Sequence, residues 1–255
     1  MIIQSVSTVV HEIVLRSVMI KKTRKLIRTH FPIIPGLFRN LFFFLKSDPT
    51  QSGEHQFLAK IFPDQCNKTY IELGAFHPIY YSNSIYFRRK GWVGISYDPN
   101  PDFRILWRIF RRDDKFVNKA VTPQQSKTGN SQFFFMERGI DLTSSMIETH
   151  AASHSERYGI TYRSEYVPSI SIREVLDNFI NESGHPPELL LIDVEGMDNA
   201  LLQSICTLED GSKLPKWIFM EVLDGNFEEA ILVSSEKYEL VGSVGLNILL
   251  SLISE

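Results

Sequence analysis

The 255-residue sequence predicts an α/β domain, doubly wound, with a mostly parallel sheet covered by helices on both faces. Three observations carry that expectation. Strand-like apolar runs alternate with helix-like stretches from residue 68 onward. Runs such as "WVGISY", "ELLLI" and "WIFM" are continuously apolar, without the in-out alternation of a half-solvated strand, as in strands buried on both faces. Several runs then end in an acid: Glu72, Asp98, Asp193 with Glu195, and Glu221. Open parallel sheets take their ligands at that edge.

The elements follow in chain order. Residues 1–47 read as a basic amphipathic extension, helical to about Arg28 and then broken by "HFPIIPG". The domain proper spans 48–255 and opens with a short helix ending before Pro63. "KTYIEL" is a strand, "YSNSIYFRRKG" a helix closed by Gly91, "WVGISYD" a strand and "PDFRILWRIFRR" a helix. "KFVNKAV" reads as one strand, "SQFFFME" as an extra strand and "GIDLTSSM" as a loop. "SEYVPSI" is a strand followed by the helix "SIREVLDNFI". "ELLLIDVE" is the most apolar strand, "GMDNALLQSI" a helix and "KWIFMEV" a strand. "YELVGSV" and "LNILLSLI" form a closing pair.

Composition narrows the function. The two cysteines, Cys66 and Cys206, stand in no motif and suit a reducing, cytoplasmic setting. Residues 13–47 hold eight basic residues and no acid, whereas the chain from Asp48 onward holds 19 basic and 29 acidic residues, a net of −10. An acidic body argues against nucleic acid as a partner. The arm suits peripheral contact with an anionic membrane. No run in the sequence reaches the length of a membrane span.

The turn "YIELGAFHPIYYSN" carries the first chemistry. A dinucleotide fingerprint needs three glycines, and here Gly74 stands alone, with Phe76 and Ile79 in the other two places. A phosphate-free cofactor such as S-adenosylmethionine needs less clearance. Asp98, 24 residues beyond Gly74, ends the next strand and suits the ribose hydroxyls; as Asp-Pro it also suits a turn.

Further matches follow in order: "YIELGAFHPIYYSNSIYFRRKGWVGISYDPNP", "RRDDKFVNKAV", "TSSM", "LLLIDVEGMD", "WIFMEV" and "GLNILL". Together these resemble the FkbM-type methyltransferases over about residues 52–250. The resemblance implies a class I, Rossmann-like fold, with a seven-stranded sheet whose last strand is antiparallel. It also implies S-adenosylmethionine as methyl donor and a hydroxyl of a polar acceptor, often a sugar, glycan or natural-product precursor, as target. Phe76 and Leu191 depart from the commoner family residues.

On that reading Glu72, Gly74 and Ala75 form the cofactor floor, with Glu72 pairing with the methionyl ammonium. Ser82 and Asn83 cap the helix or bind the cofactor carboxylate. Asn118 reads the adenine amine or satisfies local backbone. Asp193 and Glu195 share one side of their strand as catalytic acids, or join Glu221 around Mg²⁺. His77 stands near the reacting centre or merely fixes the His-Pro turn. Asp198 is expected as a solvated first-turn acid, and His150 with His154 as solvated surface. The rival readings are a catalytically silent module of the same fold and an NAD oxidoreductase, the latter disfavoured by the missing glycines.

Overall fold

The structure is a computed structural model that describes residues 50, 52–62, 68–136, 143–223 and 225–253. The basic extension, residues 1–47, lies outside the described residues, as does Cys66. No described helix is long and apolar enough to cross a membrane.

In chain order the described elements begin with α1 (Glu54–Ile61), β1 (Thr69–Leu73), α2 (Ile85–Arg89), β2 (Val93–Tyr97) and α3 (Arg104–Phe110). There follow β3 (Lys115–Val117), β4 (Ala120–Thr122), β5 (Asn130–Met136), α4 (Glu148–Tyr158), β6 (Tyr162–Ser171) and α5 (Ile172–Ser183). The chain continues through β7 (Leu189–Ile192), α6 (Asp198–Cys206), β8 (Trp217–Glu221), α7 (Phe227–Ser234), β9 (Tyr238–Val244) and β10 (Asn247–Leu252).

Seven strands form one sheet in the order β3-β2-β1-β7-β8-β10-β9, with β10 antiparallel to both its neighbours and the strands from β3 to β8 parallel. This is the class I methyltransferase arrangement that the resemblance implies. Strand order reverses between β1 and β7, so a crevice opens beyond their carboxyl ends.

The central strands are buried on both faces, which is why they read as unbroken apolar runs. Ile71, Leu73, Ile95, Leu190, Ile192 and Met220 pack against α5 and α6 through Val175, Leu176, Leu201 and Ile205. Their sequence neighbours Tyr70, Leu189, Leu191 and Phe219 face the other way, onto Leu58, Phe62, Phe87 and Trp92. Each such side chain, fully buried, contributes about 1.5–3 kcal/mol. Gly94 of β2 is small for a reason: a Cβ there would lie 2.3 Å from the Tyr70 ring.

"KFVNKAV" is two strands. β3 closes the large sheet, the chain turns at Asn118 and Lys119, and β4 joins a separate three-stranded sheet, β4-β6-β5. α4, between β5 and β6, is a helix that the sequence did not announce. It ends at Gly159, whose φ of 62° is the left-handed conformation that glycine takes freely.

Candidate active site

Beyond the carboxyl ends of β1, β2, β7 and β8 lies a cleft of about 670 Å³. At its centre β1 and β7 run so close that Gly74 has no substitute. Its φ is +75°, and a Cβ would stand 1.6 Å from the Asp193 carbonyl oxygen. The amides of Gly74 and Ala75 both donate to Tyr97 O, at 3.0 and 3.1 Å, so the chain turns directly onto the tip of β2.

Asp98 sits at that tip. Its Oδ2 accepts the Phe76 N–H at 2.8 Å and its Oδ1 accepts the Asn100 N–H at 2.8 Å. The carboxylate is therefore a turn residue and also lines the cleft. Phe76 takes φ 40°, in the left-handed region, and Trp107 Nε1 donates to its carbonyl at 3.0 Å.

Glu72, buried beneath, is the second acid of this end. Its Oε2 accepts from Ser84 Oγ at 2.7 Å and Ser96 Oγ at 3.1 Å. Burial pushes its carboxyl above the usual range, and Arg111 then the serine hydrogen bonds pull it back.

At the other end of the cleft, Asp193, Glu195 and Glu221 bring carboxylate oxygens within 4.8 Å of one another. The pleat of a strand does not do this, contrary to the sequence expectation. β7 ends at Ile192, and Glu195 swings back through a left-handed turn, with φ 52° followed by Gly196 at 103°. Such a conformation in a non-glycine residue costs about 1–3 kcal/mol and is held only where neighbours enforce it. Here Asp198 accepts the N–H groups of Val194 and Gly196, each at 3.0 Å, and Ser145 Oγ donates to Glu195 O at 2.7 Å. Asp198 is accordingly buried and closes the turn; it is not the solvated acid expected.

Three acids in one place repel. Burial, then Glu221, Glu195 and Asp198, push the Asp193 carboxyl well above its usual range, and burial, then Glu195 and Asp198, raise Glu221 to about 7. Glu221 Oε2 is buried there with no hydrogen-bond partner among the described residues, so the cluster favours a proton on one of its acids. Burial raises Asp198 to about 6.

The far wall is α4. His150 Nε2 stands 3.1 Å from Glu195 Oε2, and the His150, His154 and Tyr158 rings follow one another at 4.5 and 5.7 Å. Arg157 completes this face of the cleft. The histidines are thus a wall of the site and not the solvated surface expected. Their i, i+4 spacing was the available clue, and it became meaningful only once the stretch was known to be helical. Ser145 was read only as part of a loop. It is fully buried, and it ties the start of α4 to the Glu195 turn.

A family model described as "Methyltransferase FkbM domain" matches residues 72–238, from Glu72 at the floor of the cleft to Tyr238 of β9.

The chain belongs to the FkbM methyltransferase family.

It is therefore an S-adenosylmethionine-dependent methyltransferase. Among solved structures, a TehB-like methyltransferase from Corynebacterium glutamicum is similar at 10% identity and TM-score 0.42, over 88% of this chain and 99% of that one. The Burkholderia thailandensis 1,6-didemethyltoxoflavin-N1-methyltransferase, bound to S-adenosylhomocysteine, is similar at 10% identity and TM-score 0.41, over 92% and 90%. An O-methyltransferase from Bacillus cereus, in complex with S-adenosylhomocysteine, gives 11% and 0.39, over 90% and 96%. These likenesses are too slight to carry a substrate across. No curated protein matches the sequence significantly.

Of the residues singled out in this FkbM domain, Glu72, Gly74, Ala75, Asn83, Asp98, Asp193, Glu195 and Glu221 all line the cleft. Three do not. His77 is buried, its Nδ1 accepting the N–H groups of Ile79 at 3.1 Å and Tyr80 at 3.0 Å while its ring stacks on Tyr80. With that lone pair engaged, His77 fixes the turn and is not placed to take a proton. Ser82 is buried against Ser84, whose Oγ lies 3.1 Å away, and α2 begins only at Ile85. Asn118 donates to the Asp98 carbonyl at 2.8 Å and serves the backbone, so Lys119, Ala120 and Val121 line the cleft in its place.

Proposed function

We propose that this methyltransferase acts on oxygen, transferring the methyl group to a hydroxyl of a polar acceptor such as a sugar, glycan or natural-product precursor. The observation that carries the reading is the convergence of Asp193, Glu195 and Glu221 at the end of the cleft opposite Asp98. An alcohol must lose its proton as it attacks, and this end of the cleft holds carboxylates for it.

The residues present fit the cofactor. Asp98 lines the cleft at the tip of β2, where ribose hydroxyls would lie, and Glu72 lies at the floor with two hydroxyl donors holding it. When bound, S-adenosylmethionine supplies an electrophilic methyl carbon on a sulfonium. The chain's own part is alignment and proton transfer. Gly74 keeps the floor flat between the two ends. Glu195, oriented by His150 and by the Ser145 bond to its own carbonyl, accepts the acceptor's proton directly or through the imidazole. Asp193 and Glu221 hold the neighbouring acceptor hydroxyls. Alignment of this kind supplies much of the rate.

The three carboxylates are also an oxygen donor set of the kind Mg²⁺ takes. In that form of the reading they would hold the ion, which would lower the pKa of the acceptor hydroxyl.

The test is transfer of labelled methyl from S-adenosylmethionine to matched acceptors that offer a hydroxyl, an amine or a thiol at the same position. Label in an ether is the expected result, and label only on nitrogen or sulfur would overturn the reading. Loss of activity with chelator, restored by Mg²⁺, would select the metal form.

A further inference from the structure

Below the cofactor end of the cleft lies a buried ionic cluster that none of the chemistry above uses. The side chains of Arg111 and Asp114 are 1% and 0% exposed. Arg111 donates through Nε to Asp114 at 2.6 Å, through Nη1 to the Pro78 carbonyl at 2.9 Å, and through Nη2 to Tyr70 Oη and to Ser84 Oγ, the latter at 3.0 Å. Tyr70 in turn donates to Asp114 at 2.9 Å, and the other Asp114 oxygen accepts the Gly94 N–H at 3.0 Å. Trp107 lies beneath the guanidinium at 4.7 Å and donates to Phe76 O.

Arg111 thus reaches the β1–α2 turn at two points. It holds the turn's middle at Pro78 and its end at Ser84. Ser84 Oγ passes the contact on to Glu72 at 2.7 Å. A fully buried guanidinium with hydrogen-bond partners on all three nitrogens is a rigid part. Stability alone is a weak reason for such a group, since an apolar residue of similar size often serves as well.

We propose that Arg111 is a positioning residue for the amino-acid end of the cofactor: through Ser84 it aims the Glu72 carboxylate into the cleft. The inference rests on the reading of Glu72 as the ammonium's partner. Around Glu72 stand Ser84 of the turn, Ser96 of β2 and the apolar Leu191 of β7, with Arg111 and Tyr70 near enough to act on its charge. Arg111 is the only cation of that set.

The experiment is calorimetry on the full chain with two ligands, S-adenosylhomocysteine and 5′-methylthioadenosine. The second is the same nucleoside thioether without the amino acid. Arg111→Gln is expected to weaken S-adenosylhomocysteine by about tenfold or more, the size of a lost charge-assisted contact. It should change methylthioadenosine by less than about twofold. In a Glu72→Gln background Arg111→Gln should add little. If Arg111→Gln does not melt cooperatively, Arg111→Lys carries the same test, since it keeps the charge but cannot reach Pro78, Ser84 and Asp114 together. Equal weakening of both ligands would make Arg111 general scaffold and overturn the inference, as would no weakening of either. If Glu72→Gln itself binds S-adenosylhomocysteine normally, the reading of Glu72 falls and the inference falls with it, a result distinguishable from failure at Arg111 alone.

Discussion

The two ends of the cleft handle buried charge in opposite ways. At the β1–β2 end each acid is answered inside the protein. Glu72 has two serine hydroxyls and Arg111, and Asp98 has two backbone amides. At the β7–β8 end Asp193, Glu195 and Glu221 face mainly one another, and His150 is the nearest basic group. The first arrangement suits a fixed partner that must be held the same way in every cycle. The second leaves protonation unsettled near neutral pH, which suits a group that must take a proton and give it back.

The comparison can be broken most severely at its hinge. Gly74→Ala forces a Cβ to within 1.6 Å of the Asp193 carbonyl. We expect loss of cofactor binding and a destabilisation above about 3 kcal/mol, read by calorimetry and thermal melting. A normally stable Gly74→Ala protein would mean that the β1–β7 contact yields.

The next test separates the two ends. Asp193→Asn and Glu195→Gln should each lower turnover by about 10²-fold or more while leaving S-adenosylmethionine affinity nearly intact. The opposite is expected of Asp98→Ala, which removes a charge-assisted contact of about 1.5–3 kcal/mol from cofactor binding. If Asp98→Ala binds normally, the acid serves only the Phe76 and Asn100 amides. If the acid-end variants turn over normally, their carboxylates are structural.

A pH titration sharpens the contrast. Glu221 is raised in the folded state from the ordinary carboxylate value to about 7. Its contribution to stability is therefore full below the unfolded value and is lost as pH rises through the folded one. Glu221→Gln removes that loss. Its stability relative to the parent protein should rise between about pH 4 and pH 7 and stay level above. Denaturant melts across that range measure it, and a constant difference would show that the acids are independently solvated. The smallest effect belongs to Asn118→Ala. Its side chain serves the Asp98 carbonyl, so cofactor affinity should move by less than about twofold.

Much of this was legible along the chain. The sheet was readable because strands buried on both faces must be apolar at every position, as Leu189 to Ile192 are. The acids were readable because a carboxylate that ends such a strand needs a partner. Gly74 was readable as a necessary glycine, but its reason was not. The turn alone would allow other residues at some strain; the carbonyl of Asp193, 119 positions away in the sequence, allows none.

Tertiary structure decided the rest, in each case because the deciding contact is distant in sequence. α4 carries few apolar residues, and only Ala151 of it is buried, so no hydrophobic period marks it as a helix. It is aligned by Ser145 on the Glu195 turn, and only then do His150 and His154 become a wall of the cleft. His77 looked catalytic by its place in the motif, yet two amides within three residues claim its nitrogen. Arg111 stood in a run of exposed basic residues with nothing to distinguish it, and folding alone buries it under Tyr70, Ser84 and Pro78. Sequence by itself determined which strands are buried and where their acids fall, since burial period and strand ends are local properties. Which acid is neutralised and which is left to react depends on the partners that folding brings to each, and only the assembled sheet supplies those.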